Sequence, residues 1–306
     1  MQPIIAVAPM MGYTDRYCRY FLRLIASDVR LYTEMITAQA LIHGNAQHLL
    51  AFHPKEKYIA LQLGGSDPKK LALAAKMGEA SGYDEINFNV GCPSPRVSAG
   101  RFGACLMLEP HLVAECIAAM HAQVKIPVSV KCRIGVDDID SYTDLYRFVA
   151  MVAAVGCQII IVHARKAWLA GLSPKQNREV PPLCYQTVYQ IKKDFPRLTI
   201  IINGGIQTVA DVARHLSVVD GVMIGRAAYA NPYLLAQLQQ NFLLNKKILT
   251  RQEVLEALFP VVQQWVATGI KLNRIVRHLL GLFNGQPGAA SWRRYLTQTS
   301  DRIPSI

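Results

Sequence analysis

The sequence has no Cys-x-x-Cys pair, and its seven cysteines are odd in number. They read neither as a disulfide framework nor as a cysteine zinc site, and no metal centre is expected. Acidic residues are few. Against 33 Lys and Arg there are 21 Asp and Glu, a formal net charge of +12, which favours a polyanionic partner. No basic residue precedes Arg16, so the opening residues lack the basic n-region of a secretory leader. Long apolar runs are also missing: the best, residues 148–164, is broken by Gly156 and Gln158 and is too short to span a bilayer. A reduced, cytoplasmic protein without a membrane segment is the expectation. No G-x-G-x-x-G follows any strand-like run, which removes the usual dinucleotide fingerprint.

What the chain does contain is a series of eight β-favouring runs, at residues 4–10, 29–35, 58–63, 83–90, 127–132, 157–163, 198–202 and 221–224. Helical spacing separates most of them, at residues 15–25, 67–77, 110–123, 142–155, 185–195 and 209–216. Asp67-Pro68 caps the second of these helices, with proline at the first helical position. The strand runs read as continuously apolar rather than alternating, as parallel strands covered on both faces should. Eight βα units in about 230 residues match the size of a (β/α)8 TIM barrel. A doubly wound sheet is the rival architecture. After residue 244 the strand pattern stops, and residues 251–266, 271–282 and 289–297 read as helices, the first kinked by Pro260. The expected organisation is an α/β barrel over residues 1–240 and an all-helical domain over 241–306. Residues 245–306 hold nine Lys and Arg against three Asp and Glu.

The chemistry is expected between Asn87 and Met107. Gly91 and Pro93 stop the fourth strand, so Cys92 sits at its carboxyl end, on a loop shaped by Gly100, Gly103 and Pro95 and made basic by Arg96 and Arg101. A thiol there is a candidate nucleophile or acid; the bland alternative is a small buried cysteine. In a barrel the carboxyl ends of the strands form the active-site rim. Here they carry Ala8-Pro9-Met10, Gln62, Asn89 with Cys92, Lys131 with Arg133, His163 with Arg165, Asn203-Gly204-Gly205, and Gly225-Arg226. Glycine turns after the last two strands suit a phosphate, with Arg226 and His163 as charged donors. Lys131 offers a cation for a cofactor that becomes anionic when reduced, and Gln62 an amide for a planar ring edge. The set describes a flavin mononucleotide (FMN) site.

The same residues carry a family resemblance. Ala8-Pro-Met10, Leu61-Gln-Leu63, Asn87-Phe-Asn-Val-Gly-Cys-Pro-Ser94, Val130-Lys131, Val162-His-Ala-Arg165, Asn203-Gly-Gly205 and Gly225-Arg226 resemble, in order and over nearly the whole chain, the motifs of tRNA-dihydrouridine synthases. Longer runs, Tyr13 through Tyr20, Leu31 through Met35, Gly171 through Lys175 and Trp292 through Leu296, are similar to the branch acting at positions 20 and 20a of the tRNA D-loop. The resemblance implies FMN held by Pro9, Met10, Met11, Gln62, Lys131, His163, Asn203, Gly204, Gly205, Gly225 and Arg226, with NADPH as electron donor. It implies hydride delivery to uridine C6 and a proton from Cys92 to C5. It also implies that tRNA is gripped by Asn89, Arg165, Lys175, Arg178, Arg293 and Arg294. A monomer is expected, and relatives usually continue into a helix beyond Ile306. An ordinary thiol, with a reference pKa of about 8.5, carries its proton near neutrality, as an acid must. The competing readings are an FMN reductase of a free pyrimidine or enone, which has no use for a basic helical region, and a tRNA-binding or tRNA-folding protein, which has no use for a flavin or Cys92.

Overall fold

The structure is a computed structural model that describes residues 2–300. Its parallel strands are β1 (Ile4–Val7), β2 (Leu31–Tyr32), β3 (Ile36–Thr37), β4 (Ile59–Gly64), β5 (Glu85–Val90), β6 (Val128–Arg133), β7 (Ile159–His163), β8 (Thr199–Asn203) and β9 (Gly221–Ile224). They pair in the order β1-β9-β8-β7-β6-β5-β4-β2, with β3 also on β4. The ring closes where Val7 N–H donates to Arg30 O at 2.9 Å and Arg30 N–H to Ile5 O at 2.8 Å. This is the expected (β/α)8 barrel, wrapped by helices such as Pro68–Ala80, Pro110–His121 and Tyr142–Ala154. Asp67 caps the first of these three, accepting from Lys69 and Lys70 N–H.

Two expectations about the strands need correction. The run at residues 29–35 is not one strand. Tyr32 pairs with Ala60 but Ile36 with Leu63, so one residue too many lies between β2 and β3, a bulge. Thr33 causes it locally: its Oγ1 accepts from Gln62 N–H at 3.0 Å, replacing a backbone acceptor. Nor are all strands continuously apolar. Glu85, Asn87 and Asn89 on β5, and Ser129, Lys131 and Arg133 on β6, recur at every second position, and successive residues of a strand face opposite ways. One side of the barrel interior is therefore polar, while Ala6, Tyr32, Ala60, Ile161, Ile201 and Met223 form the apolar side.

Helices Leu234–Phe242, Arg251–Ala267, Asn273–Val276 and Ala289–Ser300 follow the last strand. The second runs unbroken through Pro260. The helix expected over residues 271–282 is cut to Asn273–Val276 and continues as tighter turns, His278 N–H donating to Ile275 O, Leu279 N–H to Val276 O and Leu282 N–H to Leu279 O. Tyr229 Oη donates to Arg277 O, Trp292 Nε1 to Leu279 O and Arg251 Nε to Leu282 O, at 3.3, 2.8 and 2.9 Å. The helical region shares the barrel's core. Trp265 meets the rings of Tyr17 and Tyr20 at 4.8 and 5.4 Å, and Arg277 pairs with Asp15 at 2.7 Å. None of the described helices is long and apolar enough to cross a membrane.

Candidate functional site

A ladder of side chains climbs the polar side of the barrel to Cys92. At its foot Glu85 pairs with Arg30 at 2.7 Å and accepts from Tyr32 Oη and Ser129 Oγ. Above it Asn87 Nδ2 donates to Ser129 Oγ, Gln62 Nε2 to Asn87 Oδ1, and Asn89 Nδ2 to Gln62 Oε1, at 2.7, 2.7 and 2.8 Å. Buried amides require partners, and this chain supplies them from floor to mouth. The last rung turns the backbone, since Asn89 Oδ1 accepts from both Gly91 N–H and Cys92 N–H, at 3.1 and 3.0 Å. Cys92 is thereby held at the mouth, half-buried. Its carbonyl accepts from Ala104 N–H at 2.9 Å, and a side chain at Gly103 would meet that carbonyl at 2.5 Å.

This ladder narrows two expected roles. Gln62, expected at a flavin edge, is 1% exposed and engaged at both ends, leaving one Nε2 hydrogen and one Oε1 lone pair for a ligand. Asn89, expected on the substrate, has spent both Oδ1 lone pairs on the Cys92 turn and keeps one Nδ2 hydrogen.

Beside the ladder, in register with Asn89 on the neighbouring strand, Lys131 Nζ donates to Asn203 Oδ1 at 3.1 Å, and Asn203 Nδ2 to Met223 O at 2.8 Å. Among the described residues no carboxylate pairs with Lys131. Burial, then the neighbouring Arg133, lower its pKa from 10.5 to about 8. His163 sits under Gly204, whose φ of +116° and whose approach to the imidazole, 2.7 Å from an added Cβ, both require glycine. Burial and the surrounding Arg133, Lys131, Arg165 and Arg178 push the His163 pKa well down. Both effects disfavour the charged form of His163, against the expectation of a charged donor at this position.

The glycine turns lie together, with Gly225 3.8 Å, measured from an added Cβ, from Met10 Sδ and Ala8 Cβ. Tyr185 Oη holds the Gly204 carbonyl at 2.9 Å. The N–H groups of Gly204, Gly205, Gly225 and Arg226 have no protein acceptor among the described residues. Pro9 and Met10 are half-buried beside them, while Met11 is 63% exposed at the rim. The Arg226 side chain is not free: it pairs with Glu179 at 2.5 Å and donates to Arg178 O. Arg165 gives Nη1 to the carbonyls of Glu179 and Pro181, and its buried Nε lacks a partner among the described residues. Lys175 and Arg178 are exposed on the loop after β7. Arg293 and Arg294 are exposed on Ala289–Ser300 and make no hydrogen bond or ion pair to the mouth among the described residues.

Glu85, Ser129, Glu179 and Tyr185 were missed in the sequence, whereas Arg133 was placed on the rim with Lys131 and Asn87 in the stretch expected to carry the chemistry. For Glu85 and Ser129 a signal existed, the polar period of two in β5 and β6. A cavity of about 560 Å3 beside Phe52, Pro54 and Gly82 lies away from these groups. No cluster of three or more His, Cys, Asp or Glu among the described residues could hold a metal ion.

Lys131 yields one expected result about stability. Below about pH 8 it is charged in both the folded and the unfolded chain, and its burial penalty is fully felt. Between about 8 and 10.5 the folded protein releases the proton first, and the penalty fades. Lys131→Met should therefore raise the thermal midpoint of the cofactor-free protein at pH 7, by an amount that shrinks above pH 8. A lower midpoint would show that the cation is a stabilising element of the mouth.

Compared with known proteins, the chain matches the family described as dihydrouridine synthase (Dus) over residues 6–304. It is 57% identical, over 297 residues, to the tRNA-dihydrouridine(20/20a) synthase of Synechocystis sp., covering 97% of this chain and 89% of that one. It is 54% identical to the protein of the same name from Vibrio cholerae, covering 97% and 91%. Among solved structures, a 2-naphthoyl-CoA reductase complex superposes with a TM-score of 0.60 at 12% identity, covering 78% of this chain and 50% of that one. That likeness speaks for the barrel alone.

Proposed function

The chain belongs to the dihydrouridine synthase family, and from that premise we propose that it reduces the C5–C6 double bond of tRNA uridines 20 and 20a, with FMN as cofactor and NADPH as electron source. The observation that carries the reading is the Cys92 thiol, fixed at the barrel mouth by Asn89 within electrostatic reach of Lys131, which donates to Asn203 and pairs with no carboxylate among the described residues.

The mouth fits a flavin phosphate and ring. The unclaimed N–H groups of Gly204, Gly205, Gly225 and Arg226 suit an oxyanion. Lys131 supplies a cation, Gln62 its remaining hydrogen, and His163, whose charged form is disfavoured, a ring donor. When bound, FMN supplies the hydride for uridine C6. The chain's own residues do the rest. Asn89 aims Cys92, whose thiol gives its proton to C5. Arg165, whose buried Nε has no partner among the described residues, meets an oxygen of the substrate. Residues 1–240 serve as the catalytic barrel and 241–306 as the region that orients tRNA. A uracil must leave its stack to enter such a mouth, and the basic, exposed Lys175, Arg178, Arg293 and Arg294 suit the phosphates around it. A reductase of free pyrimidines would leave those charges without work.

The deciding experiment maps dihydrouridine by mass spectrometry in tRNA from cells with and without the gene. Loss at 20 and 20a is expected; loss confined to 16 or 17 would sink the positional assignment. Gly204→Ala is expected to abolish flavin retention, because its Cβ would lie 2.7 Å from His163 Cδ2 in a backbone conformation that L residues rarely adopt. A variant that purifies yellow, with a full complement of FMN, would remove this turn from the cofactor site.

A further inference from the structure

Arg133 is 3% exposed, yet none of its described partners is a carboxylate. It is spent on the main chain of two other loops. Nε donates to Gly91 O at 3.0 Å, and Nη1 to Lys166 O at 3.0 Å and to Asn177 O at 2.9 Å. Gly91 directly precedes Cys92. Asn177 directly precedes Arg178 and is the buried brace of its own loop: Nδ2 donates to Trp168 O at 2.9 Å and Leu172 O at 3.2 Å, while Oδ1 accepts from Trp168 N–H at 2.8 Å. Resting on the function proposed above, we propose that Arg133 is a positioning residue. Its one guanidinium keeps the Cys92 loop at a fixed offset from the loop carrying Lys175 and Arg178. A tRNA docked on the second loop then brings its uracil to the thiol on the first.

The physical case is the cost of the arrangement. Burial lowers the Arg133 pKa from 12.5 to about 10, so it remains charged at neutral pH. A buried cation is expensive, and an apolar side chain would fill the same space at lower cost. What an apolar side chain lacks is a rigid fork of donors reaching carbonyls in two directions. A lysine keeps the charge but replaces that fork with one flexible point. Arg133 also lies close enough to Cys92 for the two to interact electrostatically.

The test uses full-length, FMN-loaded protein in single turnover with tRNA. Arg133→Lys and Arg133→Gln are expected to slow uridine reduction at saturating tRNA by about 10²-fold, as a small misplacement of a reacting group does. The tRNA concentration at half-saturation should change by less than about 3-fold, because the phosphate contacts themselves persist. In a Cys92→Ala background the same substitutions should cost less than about 3-fold, since they act through a thiol no longer present. Equal losses in both backgrounds would overturn the proposal and leave Arg133 a purely structural residue. A second readout needs no tRNA. The rate of Cys92 alkylation by iodoacetamide, followed by peptide mass spectrometry, should shift at least about 5-fold in Arg133→Gln, as thiol reactivity follows its surroundings. An unchanged rate would also overturn the proposal. If the parent enzyme forms no dihydrouridine in tRNA, the functional reading fails while the alkylation result still decides the role of Arg133. Should both variants fail to fold, Asn177→Asp loosens the far end of the brace without touching the buried cation. It is expected to slow the saturated reaction by about 5–10-fold, and an unchanged rate would count against the brace.

Discussion

Cys92→Ala is expected to lower uridine reduction in tRNA by about 10²–10⁴-fold, the usual cost of losing one general acid, while flavin content and NADPH oxidation stay near those of the parent. On the proposed assignment the two half-reactions separate because the thiol serves the substrate's proton, whereas the residues proposed for the cofactor lie on other strands: Lys131 on β6, His163 on β7, Asn203 on β8. Cys105, in the same loop, is the control. Its Sγ donates to Phe102 O at 3.2 Å, and burial, followed by Glu109, raises its pKa. It is bound up in the 3-10 turn Gly103–Leu108, and Cys105→Ala should leave uridine reduction nearly intact. If Cys92→Ala depressed flavin reduction and uridine reduction alike, the thiol would be a packing group, and the proton would have to come from elsewhere in the mouth.

The second large effect concerns tRNA. Lys175→Glu, Arg178→Glu, Arg293→Glu and Arg294→Glu combined are expected to weaken tRNA binding on the order of 10²-fold or more at physiological salt. They should also flatten the log–log salt dependence by about 3, at about 0.7–0.9 per lost phosphate contact. The four positions are suited to reversal because their neighbours, not they, hold the structure. Asn177 is buried between Lys175 and Arg178, and Trp292 and Leu296 anchor Ala289–Ser300 beneath Arg293 and Arg294. Folding and flavin content should therefore survive. Reversal is a cleaner probe than removing residues 245–306, because Trp265, Leu279 and Leu296 belong to the same apolar core as the barrel helices. A tRNA affinity that responds to neither the substitutions nor salt would favour a small-molecule substrate.

Much of this protein was legible before any fold was considered, and the legible parts are local. Strand runs punctuated by glycine and proline, helices opened by Asp67-Pro68 or Pro110, and a thiol left at a strand end by Gly91 and Pro93 all depend on neighbours within a few residues. Counting such units led to the barrel, and the barrel's geometry to the rim on which Cys92, Lys131, His163 and the glycine turns gather. The tertiary structure decided what depends on partners far apart in the chain. The lowered pKa of His163 comes from its burial and then from four cations supplied by β6 and by the segments after it. The engagement of Arg226 depends on Glu179, 47 residues away, and the aim of the Cys92 loop on Arg133, 42 residues from Gly91. The polar barrel wall was visible as a period of two, yet only the pairing of β4, β5 and β6 turned those amides into a ladder, because each finds its partner on a neighbouring strand. The segment 271–282 shows the same division: its helical propensity is local, but it folds as turns whose carbonyls accept from Tyr229, Arg251 and Trp292.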